Sequence, residues 1–325
     1  MKAILCKEYG LPQTLSLEEV PSPTPKKGEI LVEIKACGVN FPDTLIIQGK
    51  YQFKPPMPFS PGSDIAGVVK AVGEGATRFK VGDEIFGMIP WGGYAEEVAA
   101  SEKLCFPKLP GMDYSMAASF MMAYGTSYHA LKDRAKLQAG ETLLVLGAAG
   151  GVGLTAVELG KLMGAKVIAA ASTDEKLALC QKYGADEVIN YSKEDLRQRI
   201  KDLTAGKGVD VVYDPVGGDY TEAALRGMAW EGRFLVVGFA AGDIPRIPLN
   251  LPLLKGCQIV GVFWGNFAMK FPADNLANTQ QLIQWYLAGT IKPHIDKIYP
   301  LAEVPQALQD MMDRKVKGKI VIQIS

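Results

Sequence analysis

At 325 residues, with 35 lysines and arginines against 35 aspartates and glutamates, the chain has the length of two domains and no net charge. It carries neither a long like-charge run nor a basic stripe interleaved with aromatics, which excludes the electrostatic footprint of nucleic-acid binding and of attachment to an anionic membrane surface. The first residues lack the apolar run of a secretory signal and no later stretch stays apolar long enough to span a membrane, so a cytoplasmic or equivalent reducing location and a small neutral or conjugated ligand are expected.

From Met1 to about Lys108, strand-like stretches at residues 3–6, 30–36, 65–72 and 94–99 alternate with Pro/Gly-rich turns and predict a β-rich module. Apolar residues at helical spacing over 115–131 predict one long helix leading out of it. Strands and helices then alternate, at 142–146, 152–163, 166–171, 175–183, 210–213, 220–228 and 234–237, which implies a parallel sheet with helices on both faces. The tail adds an amphipathic helix carrying Leu276, Ile283 and Leu287, a second carrying Val304, Leu308 and Met311, and a closing strand over 319–324.

The segment Leu143-Leu-Val-Leu-Gly-Ala-Ala-Gly-Gly-Val-Gly153 places a strand, then glycines at 147, 150 and 153, then a helix. Glycine permits a tight turn and close backbone approach, and the free N–H groups and dipole of the helix start attract phosphates, so Gly150, Gly151 and Val152 are expected to hold a dinucleotide pyrophosphate. An isolated glycine cluster is often only a turn; the order of strand, turn, helix and strand favours the binding reading. The following strand ends in Ala171 and Ser172 rather than in the carboxylate that binds ribose hydroxyls in NAD sites. A small neutral strand end leaves room for a 2′-phosphate, with the Ser172 hydroxyl and the Lys176 charge as its partners, and NADPH is the expected cofactor. The competing reading makes Ser172 the cap of the next helix, with Glu175 completing a capping box, while Asp174 turned inward would favour NADH.

The segments Cys37-Gly-Val-Asn-Phe-Pro-Asp43, Gly49-Lys-Tyr51, Pro61-Gly-Ser-Asp64, Val81-Gly-Asp-Glu-Ile85, Gly93-Tyr-Ala-Glu96, Tyr124-Gly-Thr126, the glycine turn and Ala229-Trp-Glu-Gly-Arg-Phe-Leu-Val-Val-Gly238 span nearly the whole chain in order. In them the chain resembles the medium-chain dehydrogenase/reductase superfamily, and within it the zinc-free NADPH:quinone oxidoreductases related to ζ-crystallin. The resemblance implies an α/β architecture: a GroES-like β-rich catalytic domain beginning at 1–120, a doubly wound Rossmann domain at 121–260, and a return to the catalytic domain at 261–325. It also implies an active site in the cleft between the domains.

At the positions where zinc-dependent relatives carry their ligands, this chain has Asn40, Ser63 with Asp64, and Met122, a set that cannot replace thiolate and imidazole. The five cysteines, Cys6, Cys37, Cys105, Cys180 and Cys257, are scattered without a C-x-x-C pair, and His129 and His294 are the only histidines, so no metal is expected.

Without a metal, an acceptor stacked on the nicotinamide needs donors for its developing negative oxygen. The resemblance nominates Asn40 and Tyr51, with Tyr51 or water as proton source, and gives Thr126 to the nicotinamide ribose or carboxamide. It puts Gly238, Phe239, Phe263 and Trp264 about the nicotinamide, Tyr191 over the adenosine, and Arg314 at the 2′-phosphate. Read without it, Asn40 is a turn residue, Tyr51 a loop aromatic, Phe263 and Trp264 core packing, and Arg314 a helix-end cation. Asp43, after proline at a helix start, is expected to hold neighbouring backbone. Three functions remain open: reduction of quinones or related conjugated carbonyls, reduction of an enone, enal or enoyl thioester, and a non-catalytic NADPH-binding role. The resemblance further implies a homodimer through an edge strand over 258–263.

Overall fold

The computed structural model describes residues 1–324. The chain packs into two compact units, one formed by Met1–Met122 with the segment from Pro293 onward, the other by Ala123–Lys292. Its strands, in chain order, are β1 (Lys2–Leu5), β2 (Ser16–Glu19), β3 (Glu29–Val39), β4 (Asp64–Val72), β5 (Glu84–Met88), β6 (Glu97–Ser101), β7 (Cys105–Pro107), β8 (Thr142–Val145), β9 (Lys166–Ala171), β10 (Glu187–Asn190), β11 (Val209–Asp214), β12 (Met228–Val236), β13 (Gln258–Gly261), β14 (Ile295–Pro300) and β15 (Lys319–Gln323).

In the first unit β1 and β2 form a hairpin, and the larger sheet runs β14-β15-β3-β4-β5-β7 with β6 also paired to β3. The long β3 alternates apolar residues inward, and Ile30, Val32 and Ile34 are completely buried. The tail strand β15 lies antiparallel to β3, with Ile320 opposite Val39 and Ile322 opposite Cys37, so residues more than about 280 positions apart in sequence share one layer.

The second unit is a six-stranded, all-parallel sheet in the order β10-β9-β8-β11-β12-β13. Counted from β8 this is 3-2-1-4-5-6, the doubly wound order, whose crevice opens between β8 and β11. The central strands read as continuous apolar runs because both faces are covered: Leu143, Leu144, Val145, Val167, Ile168, Val211 and Val212 are all fully buried.

The expected long helix over 115–131 is broken into Tyr114–Ala117, Met121–Tyr128 and a π-helical turn His129–Arg134. Ser119 causes the first break: its backbone N–H and its hydroxyl both turn back to the Met116 carbonyl, tightening the chain out of the α-ladder. The last turn widens because the Ala135 N–H reaches the Ala130 carbonyl, five residues back.

The chain also leaves the second unit later than residue 261. Helix Pro272–Leu287 packs back onto that unit, where Asn278 accepts from Lys132 (2.7 Å) and donates to Asp133 (2.8 Å), and Trp285 meets Tyr128 edge-on. Four elements carry no clear periodic signal: β10, β14, and the short helices Asn250–Lys255 and Trp264–Lys270. The helix Leu196–Leu203, anchored through buried Leu196 and Ile200, is likewise absent from the sequence-based expectations.

Candidate active site

Gly150 caps the helix Gly151–Leu162, and the first helical N–H to find a carbonyl is that of Leu154, at 2.8 Å from the Gly150 oxygen. The N–H groups of Gly151, Val152 and Gly153 make no hydrogen bond among the described residues, so three donors at the positive end of the helix stand ready for an anion. Gly147 has φ +55°, and a Cβ there would lie 2.7 Å from Val216, so the turn after β8 lies against the turn after β11 at the switch point of the sheet. A Cβ on Gly153 would lie 2.3 Å from the Gly147 carbonyl oxygen, so only glycine lets the helix sit this close to its own turn.

Five further sequence-nominated residues of this unit fall just past the carboxyl ends of parallel strands: Ser172 after β9, Tyr191 after β10, Gly238 and Phe239 after β12, Phe263 after β13. Parallel topology alone gathers them on the ligand-binding edge. Thr173, not Ser172, caps the helix Asp174–Lys182, accepting the Lys176 N–H at 3.3 Å, which removes the capping alternative for Ser172. Asp174 accepts from Asn190 and from Lys193, each at 2.6 Å, and these partners hold its carboxyl below the usual range, so the residue that would favour NADH is already engaged.

Tyr191 packs on Tyr220 with ring centroids 4.2 Å apart. Buried Asp214 accepts from the Val216 and Gly217 N–H groups and from Thr221, each at 2.8 Å, and so shapes the loop against which Gly238 rests. Phe239 borders an apolar hollow of about 130 Å³ with Val236, Ile244, Ile247 and Ile259. Phe263 is 40% exposed, but Trp264 is buried and donates its indole N–H to Asn275 at 2.9 Å, the core role that competed with a cofactor-lining one. The Thr126 hydroxyl makes no hydrogen bond among the described residues. Its neighbour Ser127 donates to the Val152 carbonyl at 2.8 Å and meets the hydroxyls of Thr155 and Tyr213, docking this helix on the first turn after the glycines.

In the first unit Asn40 starts the helix Phe41–Ile46. Asp43 accepts the Asn40 backbone N–H at 2.8 Å and the Tyr94 phenol at 2.7 Å, the bracing role expected of it. Burial pushes its carboxyl up to about 6, against the pull of those hydrogen bonds. Tyr51 packs beside Phe53 at the margin of the core, and burial, then the charge of Asp43, raise its phenol above the ordinary value. Arg314 lies exposed just past the helix Val304–Met312, with φ +58°.

The Asn40 side-chain oxygen accepts from the Lys319 ammonium at 2.5 Å, and Asp64 lies 3.6 Å from the same nitrogen. Asn40 and Asp64, two of the positions compared above with zinc ligands, thus share one buried lysine. Among the described residues no three of His, Cys, Asp and Glu gather as a metal-binding group. His129 bonds Asp133 at 2.8 Å and stacks on Phe267.

Sequence reasoning missed Lys319, Tyr94 and Ser127. Lys319 opens a strand after Lys317-Gly318 and reads as a solvated cation; Tyr94 sits inside a recognised motif and Ser127 directly after one, but nothing in their spacing marks a buried partner.

Residues 26–129 match the alcohol dehydrogenase GroES-like domain, and residues 151–281 match the zinc-binding dehydrogenase family. The chain is 37% identical over 324 residues to quinone oxidoreductase-like protein 2 homolog of Nematostella vectensis, covering 99% of this chain and 88% of the relative. It is 29% identical to the Escherichia coli quinone oxidoreductase solved in complex with NADPH, with a TM-score of 0.92, covering 99% of this chain and 100% of that one. Its likeness to the CurK enoyl reductase has 27% identity and a TM-score of 0.90, covering 100% of this chain and 99% of that one.

Proposed function

Because the chain belongs to the medium-chain dehydrogenase/reductase family, in its quinone oxidoreductase group, we propose that it is an NADPH-dependent, zinc-independent reductase of quinones and related electron-poor conjugated carbonyls. The observation that carries the reading is the glycine turn, whose three unpaired N–H groups face the same strand-end edge as the neutral Ala171–Ser172 terminus. NADPH, when bound, supplies the hydride.

The chain's own residues hold it and receive the product. The N–H groups of Gly151 and Val152, with Gly150 clearing the approach, take the pyrophosphate; Ser172, Lys176 and Arg314 take the 2′-phosphate; Tyr191 covers the adenosine. Thr126, Gly238, Phe239 and Phe263 border the nicotinamide, where Trp264 contributes by packing. Asn40 and Tyr51 donate to the oxygen of the acceptor as negative charge develops there. The raised Tyr51 phenol keeps its proton across the physiological range, which suits a hydrogen-bond donor and leaves final protonation to water.

The donor set does not fit zinc. Asn40, Ser63, Asp64 and Met122 offer one carboxylate and no thiolate or imidazole, and the nearest charge to that carboxylate is already the Lys319 ammonium. No step therefore runs through a metal.

Reduction of the alkene of an enone or enoyl thioester uses the same donors, and the likeness to the CurK enoyl reductase supports it as the second reading. Exposed Ile244 and Ile259, which share a hollow at the edge strand β13, support a homodimer built on that edge. Five buried cysteine thiols suit a reducing, cytoplasmic location.

The test follows NADPH oxidation against ortho- and para-quinones, enones, enals and crotonyl thioesters, with and without chelator. Fastest, chelator-insensitive turnover of quinones is expected. A preference for thioesters or enals transfers the assignment to alkene reduction, and inertness with every acceptor leaves an NADPH-binding protein.

A further inference from the structure

Lys319 is 5% exposed, and its ammonium donates to the Asn40 side-chain oxygen at 2.5 Å and to the Val39 carbonyl at 3.0 Å and pairs with the Asp64 carboxylate at 3.6 Å, all within the first unit. Asp64 is fully buried, and neither of its oxygens has a hydrogen-bond partner, so Lys319 is the charge that compensates it. Such a buried ion pair is poor at raising stability compared with apolar packing of the same volume, and its best-attested use is to fix one arrangement of neighbouring groups.

The neighbouring group is the Asn40 amide. An asparagine amide can be turned end for end at little cost unless its partners distinguish oxygen from nitrogen. Here they do: an ammonium only donates, so it requires the amide oxygen, and the Gly38 carbonyl only accepts, so it takes one amide hydrogen, at 3.3 Å. The other N–H makes no hydrogen bond of standard geometry within the protein, though the amide lies near enough to Asp64 to oppose the upward push of burial on its carboxyl.

We propose that Lys319 is a positioning residue for the reduction: its ammonium holds the Asn40 oxygen, so that Asn40 offers its remaining N–H, and only that, to the acceptor oxygen. The assignment rests on the reading of Asn40 as the donor to that oxygen. The charge also polarises the amide, since a hydrogen bond accepted at the oxygen strengthens the one donated at the nitrogen. Lys319 touches neither substrate nor cofactor in this scheme and acts through Asn40.

The test uses the full-length protein in four forms: wild type, Asn40→Ala, the charge-neutral pair Asp64→Asn with Lys319→Met, and the triple variant. The neutral pair is chosen because Lys319→Met alone strands a buried carboxylate. With the best acceptor of the panel, the neutral pair should lose on the order of tenfold in kcat, as expected for weakening one oxyanion donor, with the NADPH Kd unchanged. The triple variant should lose no more than Asn40→Ala alone. Losses that multiply instead overturn the proposal, because they mean that Lys319 acts independently of Asn40.

A second readout needs no turnover. The Asn40 side-chain amide pair, identified by its loss in Asn40→Ala, should shift and exchange faster with water in the ¹H–¹⁵N spectrum of the neutral pair. An unchanged amide pair overturns the positioning role. A wild type inert toward every acceptor defeats the donor reading itself, while the amide spectrum still decides whether Lys319 orients Asn40.

Discussion

The Tyr94 phenol donates to the Asp43 carboxylate at 2.7 Å, and both side chains are buried. Burial drives Asp43 up to about 6 while Tyr94 and the Asn40 backbone N–H pull it down. Tyr94→Phe removes one of those donors and leaves a buried carboxylate less satisfied, which costs about 1–3 kcal/mol. Thermal unfolding should fall by several degrees, and the loss should be larger at pH 8, where Asp43 is ionised, than at pH 5. An unchanged melting temperature at both pH values argues against a bracing role.

Glu158 gives a pH dependence of definite sign. It accepts from the Tyr124 phenol at 2.7 Å and the Lys292 N–H at 3.0 Å, and burial raises its carboxyl from 4.5 to about 6. A group with a raised folded pKa holds more protons folded than unfolded, so its favourable contribution is complete below pH 4.5 and is lost as pH rises through about 6. Glu158→Gln removes this titration while keeping an acceptor for Lys292. Relative to wild type it should gain roughly 1–2 kcal/mol between pH 4.5 and 7, read from urea unfolding. A stability difference independent of pH contradicts the assignment.

The Rossmann half was legible because parallel strands buried on both faces write themselves as unbroken apolar runs, and because Gly147 and Gly153 are demanded by backbone geometry. The tail was not. Pro272–Leu287 is a clear helix, but which unit it joins depends on Asn278 meeting Lys132 and Asp133, a contact across 145 residues that no local pattern contains. The same holds for the first unit: Asn40 stands in a recognisable motif, but its orienting partner lies 279 residues away, and pairing across β3 and β15 is set by tertiary structure. The break at Ser119 escaped because apolar periodicity runs straight through it.

Cofactor discrimination tests the strand end after β9. Ser172→Ala should weaken NADPH binding by about 1 kcal/mol, one hydrogen bond to a charged group being worth about 1.5–3 in a buried setting and less at this half-exposed position. Lys176→Ala with Arg314→Ala should weaken NADPH at least tenfold and leave NADH nearly unchanged, measured by fluorescence titration. Parallel losses for the two cofactors would show that neither cation reads the 2′-phosphate.

Two glycines separate binding from folding in the phosphate turn. At Gly153 a new Cβ would sit 2.3 Å from the Gly147 carbonyl oxygen, a backbone atom that moves only if the turn opens. Gly153→Ala should therefore lower both stability, by about 2 kcal/mol or more as for other overpacked positions, and NADPH affinity. At Gly150 the backbone has φ −77° and ψ 171°, which any residue adopts, and the nearest atom to a Cβ is 3.3 Å away. Gly150→Ala should fold with nearly wild-type stability and still bind NADPH at least tenfold more weakly, because the added methyl stands where the pyrophosphate approaches. Calorimetric melting and NADPH titration of the two variants separate these outcomes. Equal affinity in wild type and Gly150→Ala would move the phosphate site away from this turn.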